Sequence, residues 1–473
     1  MPNAIPVRED PSYAEAFAAF VRDHPSYASA ELDAERAHDF ARLDRNGDVY
    51  LDYTGGGIYA ESHVREHAEL LTGRVFGNPH STNPTSAAMT ERAESARLAV
   101  LAHFGADPDE YVAVFSPNAS GALKLVAESY PFTPGGAFLL TYDNHNSVNG
   151  IREFARARGA EVAYAPVRPP DMRIDDVALG RALDAPHGGA RRLFAYPAQS
   201  NFSGVLHPLA WVERARERGW NVLLDAAAFA PTHALDLRTV RPDFVTLSFY
   251  KMFGYPTGVG ALLARRDALG WLRRPWFAGG TIAYASVGEP RHDLHEGAEA
   301  FEDGTLNYLA LPAVEAGLRR LAGGRQAAID ARVMALTGWT LGQLVALRHG
   351  NGRPLVQVYG PLDTDERGGA IALNLHGADG ALIDHREVER RANGERISLR
   401  TGCFCNPGAG EAALGISGDE LASCFSAHDR MTIDTFRGCL SDKGSGAVRV
   451  SFGHASTFAD AFALVRLLAG FRA

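Results

Sequence analysis

"DFVTLSFYKMFGYPTGVGALLA" occupies residues 243–264. Phe244-Val245-Thr246-Leu247 has the length and β-branched content of a buried strand. It runs into Ser248, two aromatics and Lys251, then a turn containing Pro256, Gly258 and Gly260, then a second apolar run. A surface lysine needs no such setting. A lysine at the mouth of a core strand, framed by aromatics, is placed to form an imine.

The pattern repeats outward from that stretch. "YVAVFS" (111–116) is followed by the helix pattern "ASGALKLVAESY". "AFLLTYD" (137–143) leads to "SVNGIREFARARG", and "RLFAYP" (192–197) and "NVLLD" (221–225) are further apolar runs. Strands alternating with amphipathic helices predict an α/β fold, a largely parallel sheet with helices on both faces. Ligands of such sheets gather at the carboxyl ends of the strands. That rule selects Asn118–Gly121, Asn144–Asn146, Gln199–Asn201, Asp225 and Lys251. Beyond about residue 320 long helical patterns take over. "AIALNLHG", "RISLRTGCFCNPG" and "AVRVSFG" then read as shorter strands of a second lobe, and "SYAEAFAAFVRDH" near the start reads as a helix.

With 473 residues the chain is too long for one core, so two or three lobes are expected. A hydrophobic content of 46% with 22% charged residues is ordinary for a globular enzyme. The net charge of −9, with both signs interspersed, excludes a nucleic-acid or anionic-membrane surface as the main partner. No apolar run reaches the ~18–20 residues of a membrane span, and the first residues carry no basic start and apolar core of a secretory leader. The four cysteines, Cys403, Cys405, Cys424 and Cys439, are too few for a disulfide scaffold, and a reduced, cytoplasmic protein is expected.

An amine, an aspartate and a hydroxyl-rich helix start at neighbouring strand ends point to pyridoxal phosphate. Its aldehyde needs a lysine, its pyridine nitrogen a carboxylate, and its phosphate the N–H groups and hydroxyls of a helix N-terminus. Lys251, Asp225 and the Asn118–Gly121 turn supply all three, and His145 can lie on the ring face. Each has a plainer reading alone: a solvated lysine, a helix cap, a loop histidine. Their order along successive strand ends favours the joint one.

The residues also carry a resemblance. "LDYTGGG" (51–57), "GNPHS" (77–81), "DNHNSVNGIR" (143–152), "YPAQSNFSGV" (196–205), "LLDAAA" (223–228), "LSFYKMFGYPTGVGAL" (247–262), "FAGGT" (277–281), "FEDGT" (301–305), "LRTGCFCNPGA" (399–409) and "GAVRVSFGHAST" (446–457) span nearly the whole chain. In this order they resemble class V aminotransferase-type pyridoxal phosphate enzymes, the cysteine desulfurase superfamily, and most of all the desulfurase portion of molybdenum cofactor sulfurases. The resemblance implies a fold-type-I homodimer with a seven-stranded-type sheet. It implies an N-terminal segment (1–50) packing on the lobes, a large cofactor domain (51–320), and a small domain (321–473) carrying the cysteine loop. Lys251 would bind the cofactor's aldehyde, Asp225 its pyridine nitrogen, His145 its ring face and Asn201 its 3-oxygen. Ala119, Ser120 and Ser248 would hold its phosphate, Thr281 would serve the partner subunit's phosphate site, and Arg449 would clamp the substrate carboxylate.

"RTGCFCNPG" sits in a loop framed by Gly and Pro. No second Cys/His pair completes a zinc site, so no metal is expected. In the family's chemistry a loop thiolate takes sulfur from L-cysteine as a persulfide and alanine leaves. Alignment to the family motif favours Cys405 over Cys403, with Arg400 as a positive neighbour; Cys424 and Cys439 read as incidental. The acceptor would be a protein or small molecule. Tyr250 and Ala228 stand where simple desulfurases commonly carry His and Gln, which agrees with the sulfurase branch, and Gly410 stands where a further cysteine is common. The alternative is another reaction on the same scaffold: C–S lysis of an S-substituted cysteine, epimerisation or transamination. A binding or regulatory protein with a dead site is a third reading, opposed by the intact Lys251, Asp225 and Arg449.

Overall fold

The structure is a computed structural model that describes residues 7–186, 189–427, 430–432, 435, 438–439 and 443–473. Its centre is a seven-stranded sheet made of β1 (Tyr111–Ser116), β2 (Ala137–Thr141), β3 (Glu161–Ala165), β4 (Arg192–Pro197), β5 (Asn221–Asp225), β6 (Phe244–Ser248) and β7 (Gly260–Arg265). The order across the sheet is β1-β7-β6-β5-β4-β2-β3. β7 alone runs antiparallel to its neighbours. The link from Ser248 to Gly260 is too short for a crossover, so the chain has to return antiparallel.

β4 and β6 are buried along their length, and β1, at one edge, up to Ser116, which is why they read as continuous apolar runs and not as alternation. β3 differs. As an edge strand with Glu161 and Ala163 exposed, it has no such run, and the apolar pattern passes over it.

A five-stranded sheet follows. It consists of β8 (Val356–Tyr359), β9 (Ala370–His376), β10 (Leu382–Ile383), β11 (Arg400–Gly402) and β12 (Ala447–Ser451), with β8-β9-β12-β11 in order and β10 paired to β9. The N-terminal helix α1 (Tyr13–Asp23) lies against the helices of this region. Phe20 stacks on Phe458 at 4.7 Å and meets Trp339 edge-on at 6.2 Å. Buried Arg36 ties the same segment to Asp44 (2.9 Å) and Asp460 (3.4 Å).

One expectation is corrected. Cys424, on the helix Gly418–Ser426, is bonded to Cys439, their Cα atoms 5.7 Å apart. They are bonded to each other across a sequence separation of 15 and are not incidental thiols. Among the described residues no helix is long and apolar enough to cross a membrane.

Candidate active site

Five strand ends converge on one cleft of about 160 Å³. After β1, Asn118 caps the helix α2 (Ala119–Ser129), its side chain accepting from the Gly121 N–H at 3.0 Å. The neighbouring Ala119 N–H donates to the Ser248 hydroxyl at 2.9 Å, which joins the end of β6 to the start of α2. Ser120 and Ser147 share a hydroxyl hydrogen bond beside it. β5 ends in Asp225, whose carboxylate is buried and fixed by the Ala227 N–H (3.0 Å) and the Thr246 hydroxyl (3.2 Å).

Past β6 the chain makes a single helical turn, α3 (Phe249–Phe253), that presents Lys251. Gly254 ends it at φ +78°, and a Cβ there would stand 2.3 Å from the Ile58 carbonyl carbon. Gly57 packs against the same turn, a Cβ there standing 2.9 Å from the Gly254 nitrogen, and donates its N–H to the Tyr250 carbonyl at 3.0 Å. The glycines of "TGGG" therefore let that segment buttress the lysine turn by direct backbone contact.

Electrostatics suit the geometry. Burial lowers the Lys251 amine below the ordinary lysine value, with Asp225 opposing and Arg449 and Arg400 reinforcing; a lysine lowered in this way is a more available nucleophile. Burial also lowers His145, against the pull of Asp225. Its Nδ1 accepts the Ser147 N–H at 3.1 Å, so the neutral ring carries its proton on Nε2.

Ala119, Ser120, His145, Asn201, Asp225, Ser248 and Lys251 all line this cleft. Thr281 does not. It is fully buried, and its hydroxyl is spent within its own chain, donating to the Ala278 carbonyl at 2.8 Å. Arg449 lies behind the cleft, buried, with Nη1 on the Asn201 carbonyl (2.8 Å) and Nη2 on Asp52 (2.9 Å).

The cysteine loop is tied directly to these residues. Asn406 donates to the Asp143 carbonyl (2.6 Å) and the Asn201 side chain (2.8 Å). Asn201 donates in turn to the Phe404 carbonyl (2.7 Å), and the Asn146 N–H donates to the Cys405 carbonyl (2.7 Å). Phe404 and Cys405 both take left-handed backbone, φ +55° and +56°, a cost such a network has to hold in place. Cys403 and Cys405 are free and exposed, and Cys405 lies within electrostatic reach of Lys251, Arg400 and Arg449. Sequence reasoning missed Asn406 and Asp52. For Asn406 a signal existed: Asn-Pro-Gly is a helix start, and Asn406 caps Pro407–Ala413.

The chain matches the Aminotransferase class-V family over residues 49–464. It belongs to that family. As a member it is a pyridoxal phosphate-dependent enzyme. It is 38% identical over 467 residues to a molybdenum cofactor sulfurase of Bos taurus, and 38% identical over 489 residues to one of Arabidopsis thaliana. These alignments cover 93% and 94% of this chain but span only 52% and 59% of those relatives' length. Its fold matches an apo cysteine desulfurase from Thermococcus onnurineus NA1 with a TM-score of 0.76 at 22% identity, over 93% of this chain and 97% of that one. The mostly parallel sheet is thus that of fold type I.

Proposed function

We propose that this class V enzyme is a cysteine desulfurase, taking sulfur from L-cysteine onto Cys405 and releasing alanine. The observation that carries the reading is the bonding of the Cys405 loop to Asn201 and Asp143 at the cofactor cleft. A loop with no part in the chemistry has no need of that attachment.

The cleft fits pyridoxal phosphate. A fixed buried carboxylate, a lysine amine, and a helix N-terminus flanked by serine hydroxyls open onto one space. Lys251 would hold the aldehyde carbon, Asp225 the pyridine nitrogen, His145 the ring face and Asn201 the 3-oxygen; Ala119, Ser120 and Ser248 would hold the phosphate. When bound, the cofactor supplies a sink for electrons released at the substrate's carbons. Arg449 receives the substrate α-carboxylate. The Cys405 thiolate attacks the substrate sulfur, an S–S bond forms as the C–S bond breaks, and the electron pair of that bond stays with the substrate carbon. Protonation there completes alanine, and the protein keeps a persulfide. A reductant or an acceptor thiol then removes the terminal sulfur. We further propose a homodimer, supported by the exposed Trp276, Phe277, Tyr284 and Val287 around the hairpin Ile282–Leu294.

The test is alanine released from L-cysteine by purified, cofactor-loaded protein with a reductant present. Wild type and Cys403→Ala are expected to release alanine and Cys405→Ala none. Loss in Cys403→Ala instead would move the nucleophile two residues back. No alanine from the loaded wild type would overturn the reading and turn attention to S-substituted cysteines.

A further inference from the structure

In the pair β11–β12, Arg400 and Arg449 stand directly opposite one another. Like charges in that position repel, and here one of them is buried, Arg449 being 2% exposed. The group that makes the pairing tenable is Asp52. Its Oδ2 accepts from Arg400 Nη2 at 2.6 Å and Nε at 2.9 Å; its Oδ1 accepts from Arg449 Nη2 at 2.9 Å.

The surroundings are built to keep it there. Asp52 pairs with Ser451 of β12 by a β-bridge, and the Thr54 N–H donates to the Ser451 hydroxyl at 2.9 Å. Gly55 leaves the necessary room: a Cβ there would stand 2.4 Å from Asp52 Oδ2 and 2.6 Å from Arg400 Nη2. Two guanidiniums and one carboxylate leave a single positive charge. Arg449 Nε is buried and, among the described residues, has no hydrogen-bond partner. Arg449 Nη1 donates to the Asn201 carbonyl at 2.8 Å and its guanidinium lies 4.8 Å from the Phe404 ring of the cysteine loop, while Arg400 opens the strand that leads into Cys403.

We propose that Asp52 is a positioning residue, a fixed counter-ion that aims Arg449 and couples it through Arg400 to the cysteine strand, leaving one positive charge for a single amino-acid carboxylate. This rests on the reading of Arg449 given under Proposed function. Without Asp52 the two guanidiniums face each other unneutralised, Arg449 loses its aim, and capture of the acid suffers before the chemistry does.

Two readouts test it on the loaded enzyme. The first is the KM and kcat for L-cysteine. The second is half-saturation by L-alanine, followed through the cofactor's absorbance, which needs no desulfuration. Asp52→Asn is expected to raise KM and the L-alanine half-saturation at least tenfold, with kcat changed less than threefold and cofactor content unchanged. Gly55→Ala keeps every charge but crowds the pair, and is expected to move the same two quantities in the same direction. Formate should inhibit wild type by competing at Arg449 yet lower the KM of Asp52→Ala by replacing the lost carboxylate, a reversal that a merely structural role does not produce. KM and half-saturation within twofold of wild type in both Asp52→Asn and Gly55→Ala would overturn the proposal, as would equal inhibition of wild type and Asp52→Ala by formate. Arg449→Ala separates the two levels. If it binds L-alanine as wild type does, the acid-binding reading itself fails. If it loses binding while Asp52→Asn keeps it, only the role of Asp52 fails.

Discussion

Asn406 is the residue through which the cysteine loop reaches the cofactor cleft. Its amide joins the Asp143 carbonyl and the Asn201 side chain, and its own oxygen caps the following helix through the Ala409 N–H at 3.2 Å. Each such bond contributes about 1 kcal/mol, and a buried partner left unpaired costs about 1–3 kcal/mol. Asn406→Ala is therefore expected to lower kcat for alanine release by roughly tenfold or more, with cofactor content unchanged because Lys251 and Asp225 are untouched; steady-state rates beside the visible spectrum check it. Lys251→Ala, in contrast, should abolish both turnover and the lysine-linked absorbance.

At the scale of elements, the lysine turn depends on a backbone contact between α3 and the segment Gly55–Ile58. Gly254→Ala places a Cβ in left-handed backbone and against the Ile58 carbonyl, a combination that costs roughly 2–3 kcal/mol. The expected outcome is a melting temperature lowered by several degrees and faster loss of cofactor on dialysis. That contact shows where sequence reading stops. Six of the seven central strands were legible because burial on both faces makes them unbroken apolar runs, and their ends located Asp225, Lys251 and the Asn118 turn. β3, half exposed at the edge, left no such signal. Nor did Asp52. An aspartate after a short apolar pair has no local mark, and its role exists only where β12 brings Arg449 and β11 brings Arg400 to it. The Cys424–Cys439 bridge was illegible for the same reason, since spacing alone does not reveal a fold-back.

At the scale of the whole molecule, stability is tied to pH through a buried carboxyl at the amino end of β6. Asp243, just before β6, is 2% exposed and accepts the Val222 N–H at 2.7 Å. Burial pushes its carboxyl up from 3.8 to about 7. Between those values the folded chain holds a proton that the unfolded chain has released, so stability falls as pH rises through this window and is level above it. A shift of this size is worth on the order of 4 kcal/mol. Asp243→Asn keeps an acceptor for Val222 without the buried charge. Its melting temperature is expected to exceed that of wild type by a few degrees at pH 8, with the difference shrinking steadily toward pH 4. A constant difference across that range would show that Asp243 does not titrate as its burial dictates.

The central claim, that the loop thiol at Cys405 receives the sulfur, is tested most directly by the mass of the loop peptide after one turnover. Loaded protein is mixed with one equivalent of L-cysteine without reductant, then digested at low pH and its peptides weighed. The account predicts a fragment carrying Cys405 heavier by one sulfur atom, reverting on reduction and absent from Cys405→Ala. An unmodified Cys405 in a sample that has nonetheless released alanine would contradict it.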